Sequence, residues 1–212
     1  MAKFKNTDNS GSHINEAVVG RDPNIKRGPA GRVCRAQRLN YEVEYENEGE
    51  GIAFGVYFTD THDEDVNYLS LEIGPVKDVN DDSIIGDPGT YDPDTRTITW
   101  FAGRVDPNQG GYAEFSVKAV DDAPHGTEII NFETVYFPSV PEETRTNVVI
   151  SVIAPADIHY DGIVNFLDCA VLAGHWLETD PTANIAPSCG EGIVDLEDLI
   201  LFANDWLEQS AF

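Results

Sequence analysis

The chain has 212 residues, with 38 acidic against 13 basic side chains and a formal net charge of −25. That length allows one or two domains with a real hydrophobic core, while the charge opposes a nucleic-acid ligand on most of the surface, because phosphates would be repelled. The sequence has no apolar run of about 18 residues, so no helix is expected to insert in a membrane.

The charge is unevenly spread. Residues 1–38 carry eight Lys/Arg and three acids, whereas the stretch from Ser151 onward has eleven acids and no Lys or Arg. The start, Met1-Ala-Lys-Phe-Lys-Asn-Thr-Asp, lacks the apolar core of a signal peptide, as expected of a mature or trimmed product or of the end of a larger protein. Residues 1–37 read as an irregular basic N-terminal arm, because Gly and Pro recur at Gly28-Pro-Ala-Gly31 and Asp22-Pro23-Asn24. The short apolar patch Ile14, Ala17, Val18 and Val19 could instead pair with a neighbour's sheet edge. A basic arm on an acidic body is a candidate for contact between molecules.

From Arg38 the pattern changes. Leu39, Tyr41, Val43 and Tyr45 alternate with Asn40, Glu42, Glu44 and Glu46, the signature of a half-buried strand with one acidic face. Further strands are predicted over 53–59, 69–73, 97–101, 112–120, 129–137 and 147–153, with a long turn-rich stretch from Gly74 to Pro93. Seven short strands without a helical period describe an Ig-like antiparallel β-sandwich over residues 38–155. Acids cluster in its turns: Asp60, Asp63, Glu64 and Asp65, then Asp78, Asp81, Asp82 and Asp87. They read either as a solvated rim or as a cation site, since clustered carboxylates repel unless neutralised.

Residues 156–212 contain a tandem repeat. Positions 162–178 and 192–208 share Gly, Ile, Val, Asp, Ala, Trp, Leu and Glu in register. Each copy reads as a calcium loop followed by a helix. Such a loop places oxygen ligands at its positions 1, 3, 5, 7, 9 and 12 and Gly at 6. In the first copy these are Asp157, His159, Asp161, the Ile163 carbonyl, Asn165 and Asp168, with Gly162 at the turn. His159 is a poor ligand for a hard cation, and Asp168 is shorter than the usual Glu. The second copy is less regular. Allowing an insertion, Ala183-Asn184-Ile185 matches Ala156-Asp157-Ile158, so the ligands are Asn184, Glu191, the Ile193 carbonyl, Asp195 and Asp198, with Gly192 at the turn. The alternative is two acidic turns capping helices. Trp176 and Trp206 recur at the helix ends and are expected to lock the repeats together in a core. Of Cys34, Cys169 and Cys189, the last two fall within the repeat and could pair in an oxidising compartment.

The two loop–helix copies resemble the dockerin module, a calcium-dependent docking domain of multi-modular extracellular bacterial proteins, and their Trp-Leu endings are similar to dockerin-like repeats of planctomycete-type proteins. In well-known dockerins a Ser/Thr pair at loop positions 10 and 11 reads a cohesin partner. Phe166-Leu167 and Leu196-Glu197 stand there in this chain and imply a more apolar partner surface. The preceding block is similar to sandwich domains of large secreted bacterial surface proteins through Leu39-Asn-Tyr-Glu-Val-Glu-Tyr-Glu-Asn47, Asp92-Pro-Asp-Thr-Arg-Thr-Ile-Thr-Trp100, Gly126-Thr-Glu-Ile-Ile-Asn131 and Thr146-Asn147. The expected architecture is therefore mainly β with a small α module. No nucleophile elbow or zinc-protease motif is present, and His13, His62, His125, His159 and His175 are scattered, so catalysis is not expected. The expected function is a calcium-stabilised extracellular assembly module, either self-associating head-to-tail through arm, sandwich and tail, or docking onto a cohesin-like β-sandwich receptor. A third arrangement has the tail folding back on its own sandwich.

Overall fold

The computed structural model describes residues 24–138, 143–186, 189–190 and 192–209. Among them are thirteen strands: β1 (Ile25–Arg27), β2 (Gly31–Val33), β3 (Arg38–Glu46), β4 (Ala53–Thr61), β5 (Val66–Asp78), β6 (Ile84–Pro88), β7 (Thr90–Asp92), β8 (Thr97–Val105), β9 (Gly110–Ala119), β10 (Thr127–Asn131), β11 (Glu133–Tyr136), β12 (Thr144–Arg145) and β13 (Val149–Ile153). Two nine-residue helices follow, α1 (Phe166–Gly174) and α2 (Leu196–Asn204).

The alternation that predicts β3 also decides which sheet face is dry. Leu39, Tyr41, Val43 and Tyr45 are all buried, and they meet Val56 and Phe58 of β4, Ile98 and Trp100 of β8, and Ala113, Phe115 and Val117 of β9. Sheet order is β1-β3-β9-β5-β6 on one side and β12-β11-β4-β8-β7 on the other, the inner faces forming one core. Phe58 and Trp100 stack with centroids 5.1 Å apart. The Trp100 indole Nε1–H donates to the Gly74 carbonyl across the sandwich, so its one polar atom is satisfied. Gly89 lies against that ring so closely that a Cβ would sit 2.6 Å from it.

The arm and the turn-rich stretch differ from expectation. Residues 1–23, and with them the Ile14–Val19 patch, lie outside the described residues. Residues 24–37 are not irregular. β1 pairs with β3, and β2 lies parallel to β13 at the edge of a three-stranded sheet, β10-β13-β2, the one parallel pairing among the described strands. Three-residue strands flanked by Gly and Pro carry too little alternation to be seen in sequence. The stretch 74–93 likewise holds the end of β5 together with β6 and β7. The predicted strand 129–137 is broken into β10 and β11, which join different sheets.

The basic residues of 24–38 are spent within the body and are not an arm for another molecule. Lys26 is buried against Asp60 and Glu133. Arg27 pairs with Glu42 and Glu44, and Arg38 with Glu72 and Ser116. Arg32 donates to the carbonyls of Ala154 and Pro155 and to the Tyr160 hydroxyl. Arg35 donates from both Nη atoms to the two oxygens of Asp205.

The last two contacts reach the C-terminal repeat, which has its own small core of Ala156, Ile158, Val164, Leu172, Ala183, Ile185, Val194 and Phe202. A disulfide joins Cys34, just after β2, to Cys189 in the repeat, with Cα atoms 6.0 Å apart. Cys169 is free, so the Cys169–Cys189 pairing is corrected: the bond ties the repeat to the sandwich rather than one repeat copy to the other. Three cysteines allow three pairings, and only the position of Cys34 at the junction selects this one.

Candidate metal centre in the C-terminal repeat

The sequence repeat is also a structural repeat. Gly162 and Gly192 both have positive φ, +83° and +119°, which glycine adopts without a Cβ penalty. Asn165 and Asp195 are the N-caps of α1 and α2, each accepting a backbone N–H at the second helical position. Asp168 and Asp198, three residues on, complete both capping boxes by accepting the N–H of Asn165 and Asp195. Val164 exchanges backbone hydrogen bonds with Leu207 and Glu208, and Val194 does the same with Leu177 and Glu178. Each loop is thus clamped to the exit of the other helix. Leu177 and Leu207 both sit at positive φ, +63° and +66°, where the chain turns into that clamp.

In the first loop, oxygen atoms of Asp157, Asp161 and Asp168 lie within 4.8 Å of one another. Asp157 and Asp168 are fully buried. Asp157 accepts from the N–H of Asp161 and Gly162, at 3.2 and 3.0 Å, and Asp168 from that of His159 and Asn165, at 2.7 and 2.8 Å. Each carboxylate oxygen accepts through one lone pair and keeps another. The donor set is all oxygen and anionic, the chemistry of a hard divalent cation, so these residues fit Ca²⁺.

The other expected ligands are placed differently. The half-exposed His159 ring lies outside the three-carboxylate group, its Nδ1 3.6 Å from Asp161 Oδ2, and the residue contributes its backbone N–H to Asp168. Asn165 uses Oδ1 as the helix cap and Nδ2 as a donor to Asp161 and to the Ile163 carbonyl.

In the second loop, Asp198 accepts from Ile185, Ala186 and Asp195. Asn184 occupies the place of Asp157, buried, with Nδ2 donating to the Ile193 carbonyl and Oδ1 without a hydrogen-bond partner. Glu191 lies outside the described residues. Among the described residues, only the first loop brings three potential metal-ligating acids or histidines together, and the acids in the sandwich turns do not converge. Asp78 and Asp81 instead accept N–H groups within their own turns.

The apolar residues expected at a core or contact, Phe166, Leu167, Val171, Trp176, Leu196, Leu201 and Trp206, divide. Val171 and Leu201 are half-buried against the core residues Leu172 and Phe202, while Phe166, Leu167 and Leu196 are exposed, Phe166 by 77%. Trp206 packs edge-on against both Phe166 and Phe202. Trp176, at the equivalent place after α1, is 40% exposed rather than a core residue. The exposed set obeys the repeat: Ile163 and Ile193 in the loops, Phe166 and Leu196 at the first helical positions.

No family model and no curated protein matches the chain. Solved structures similar to parts of it include the major pilin subunit BcpA of Bacillus cereus (16% identity, 63% of this chain and 40% of that chain, TM-score 0.45). The full-length major pilin SpaD of Corynebacterium diphtheriae gives 17% identity over 62% of this chain and 34% of that chain, with a TM-score of 0.49. A collagen-binding domain from a Staphylococcus aureus adhesin gives 11% identity over 61% of this chain and 96% of that domain, with a TM-score of 0.39. The chain therefore aligns with well under half the length of the two pilins, and likeness at this level assigns neither an activity nor a partner.

Proposed function

We propose that this chain is a non-catalytic, calcium-stabilised extracellular assembly module that associates with copies of itself head-to-tail into a filament or tube. The observation that carries the reading is the duplicated apolar patch beside the loops. Ile163 and Phe166 in one copy, and Ile193 and Leu196 in the other, expose large apolar surface at equivalent places on a tail that is bonded to its own sandwich. Exposed apolar pairs rimmed by acids are an interaction surface in search of cover.

Calcium belongs to the same reading. Molecules with a net charge of −25 repel one another, and a divalent cation held by Asp157, Asp161 and Asp168 lowers that charge next to the patch. The contact is heterologous, tail of one copy on the sandwich of the next, and such contacts repeat. The Cys34–Cys189 bond supports an oxidising, extracellular or cell-surface location, and among the described residues no helix is long and apolar enough to cross a membrane.

Docking of the same patch onto a separate β-sandwich receptor of cohesin type is the alternative, favoured by the two-fold repetition of the patch. Light scattering in millimolar calcium and then in chelator, followed by negative-stain imaging, separates the two. Growth in calcium that reverses in chelator supports self-assembly. A monomer in both conditions overturns it and leaves the receptor.

A further inference from the structure

A lysine, two acids, an asparagine and a histidine lie together inside the sandwich. Lys26 on β1, Asp60 on β4 and Glu133 on β11 have side chains with no solvent exposure. Lys26 Nζ is 2.6 Å from Asp60 Oδ2 and 3.2 Å from Glu133 Oε1. The other Asp60 oxygen accepts from Asn131 Nδ2 at 2.9 Å and lies 3.2 Å from His62 Nδ1. Phe115 and Tyr41 wall the ammonium at 4.5 and 4.8 Å from their ring centres. Asn147 holds the backbone of Lys26 at both its N–H and its carbonyl, which fixes where the side chain enters.

As a plain ion pair this arrangement is costly. Removing two charges from water is repaid only when every remaining polar atom is satisfied. Here the Asn131 Oδ1 and Glu133 Oε2 atoms are buried without hydrogen-bond partners. One carboxylate grips an amine with one oxygen and a carboxamide with the other, and a second acid, Glu133, stands beside the amine. Those are the parts of an acyl-transfer site: nucleophile, electrophile, proton carrier and a donor for the developing oxyanion.

We propose that Lys26 Nζ and the Asn131 side chain join in an intramolecular amide, a cross-link formed by the folded chain itself. Asp60 takes a proton from Nζ, whose lone pair then attacks Asn131 Cγ. Glu133, which burial pushes well above the ordinary carboxylate range against the pull of Lys26, is protonated and donates to the oxyanion on Oδ1. Burial also raises Asp60, but Lys26 and His62 outweigh it and hold that acid below its usual value, so it begins as the base. Collapse breaks the Cγ–Nδ2 bond, and Asp60 returns the proton to the departing nitrogen. The second proton of the former ammonium leaves with ammonia as ammonium. One C–N bond forms and one breaks, with no oxidant, water or cofactor consumed. Asn131 is the acceptor in preference to Asp60, because an anionic carboxylate is a poor electrophile. The product is neutral, which discharges the buried ammonium, and Asp60, holding the amine on one oxygen and the carboxamide on the other, supplies the proximity that an amine attacking an amide requires.

The test is the mass of the intact wild-type chain after full denaturation and thiol reduction. The expected value is one ammonia below that of the sequence. A protease digest should then contain a branched peptide joining the Lys26 and Asn131 segments. Asn131→Asp keeps the side-chain shape, and its buried carboxyl, set against the Asp60 carboxylate and so held as the neutral acid, should instead leave the variant short of its own sequence mass by one water. Lys26→Met should show its full mass. A full-mass wild type overturns the proposal. So does loss of water from the wild type, which moves the acceptor to a carboxylate, or loss of ammonia with the Lys26 peptide unbranched, which leaves the change within Asn131 alone. The wild-type measurement does not depend on any variant folding.

Discussion

Replacing both junction cysteines, Cys34→Ser with Cys189→Ser, tests whether the sandwich and the repeat are one stapled unit. The bond closes a loop between positions 155 apart in sequence. Loop-closure entropy for that separation is worth about 5 kcal/mol, and measured disulfide contributions centre on about 2–4. The native junction keeps its Arg35–Asp205 contact in the variant, so the loss falls mainly on the unfolded side, and about 3 kcal/mol is expected. For a chain of this size that lowers the melting temperature by roughly 6–12 °C. Thermal unfolding followed by circular dichroism reads the shift, and thiol titration of the denatured, unreduced wild type should find the single free Cys169. A double variant melting within about 2 °C of wild type, or a wild type with all three thiols free, refutes the reasoning.

Four further expectations follow from named contacts. In wild type, calcium at a hundred times its dissociation constant should stabilise the fold by about 2.7 kcal/mol, and Asp157→Ala with Asp168→Ala should abolish that increment; equal melting of wild type in calcium and in chelator refutes the metal centre. Phe166→Glu with Leu196→Glu alters exposed positions, so stability should move by no more than about 0.5 kcal/mol while calcium-dependent growth in light scattering disappears; growth that persists excludes the patch. Lys26→Met removes the amine that faces buried Asp60, and with it any bond to Asn131, and should cost at least about 3–5 kcal/mol in urea unfolding; an undiminished midpoint refutes a structural role for the cluster. Burial raises the Asp205 carboxyl, but His125 and Arg35 outweigh it and hold the acid below its ordinary value. Its contribution is therefore complete above the unfolded-state value, about 3.9, and is lost as pH falls through the depressed folded value. Hydrogen exchange of α2 should loosen in that acid window in wild type, and Asp205→Asn should remove the transition; identical profiles count against the junction.

The sequence carries the β-sandwich and the C-terminal repeat because both are periodic. β3 is visible in the strict alternation of Leu39, Tyr41, Val43 and Tyr45, and the two loops in Gly162 and Gly192 at one offset from their capping acids. What escapes is non-local or short. β1 and β2 have three residues each and earn their place through partners more than ten positions away. Lys26 sits in a basic, Gly/Pro-rich segment that resembles solvated chain. Its acids do leave a trace: Asp60 is in phase with the buried Val56 and Phe58, and Asn131 and Glu133 with Ile129, Val135 and Phe137. A polar residue on the apolar phase of a strand is the signal for a buried cluster, and here it lay among so many acids that it read as rim. That Asp157, Asp161 and Asp168 come together is legible in the loop spacing, but not that the His159 ring would stand outside them, since that depends on the path of the loop.

The Cys34–Cys189 bond also changes how the chain bears a pull. Tension applied at Asn24 and Gln209 would ordinarily run through every strand in turn. With the bond closed, it passes along β1 and β2, across two sulfur atoms, and out through the segment carrying α2. Everything between, from β3 to α1, lies off the load path and cannot be unravelled until that bond is reduced. Extension is confined to the two short flanking segments, so the molecule is a short, stiff link whose yield point is set by redox chemistry.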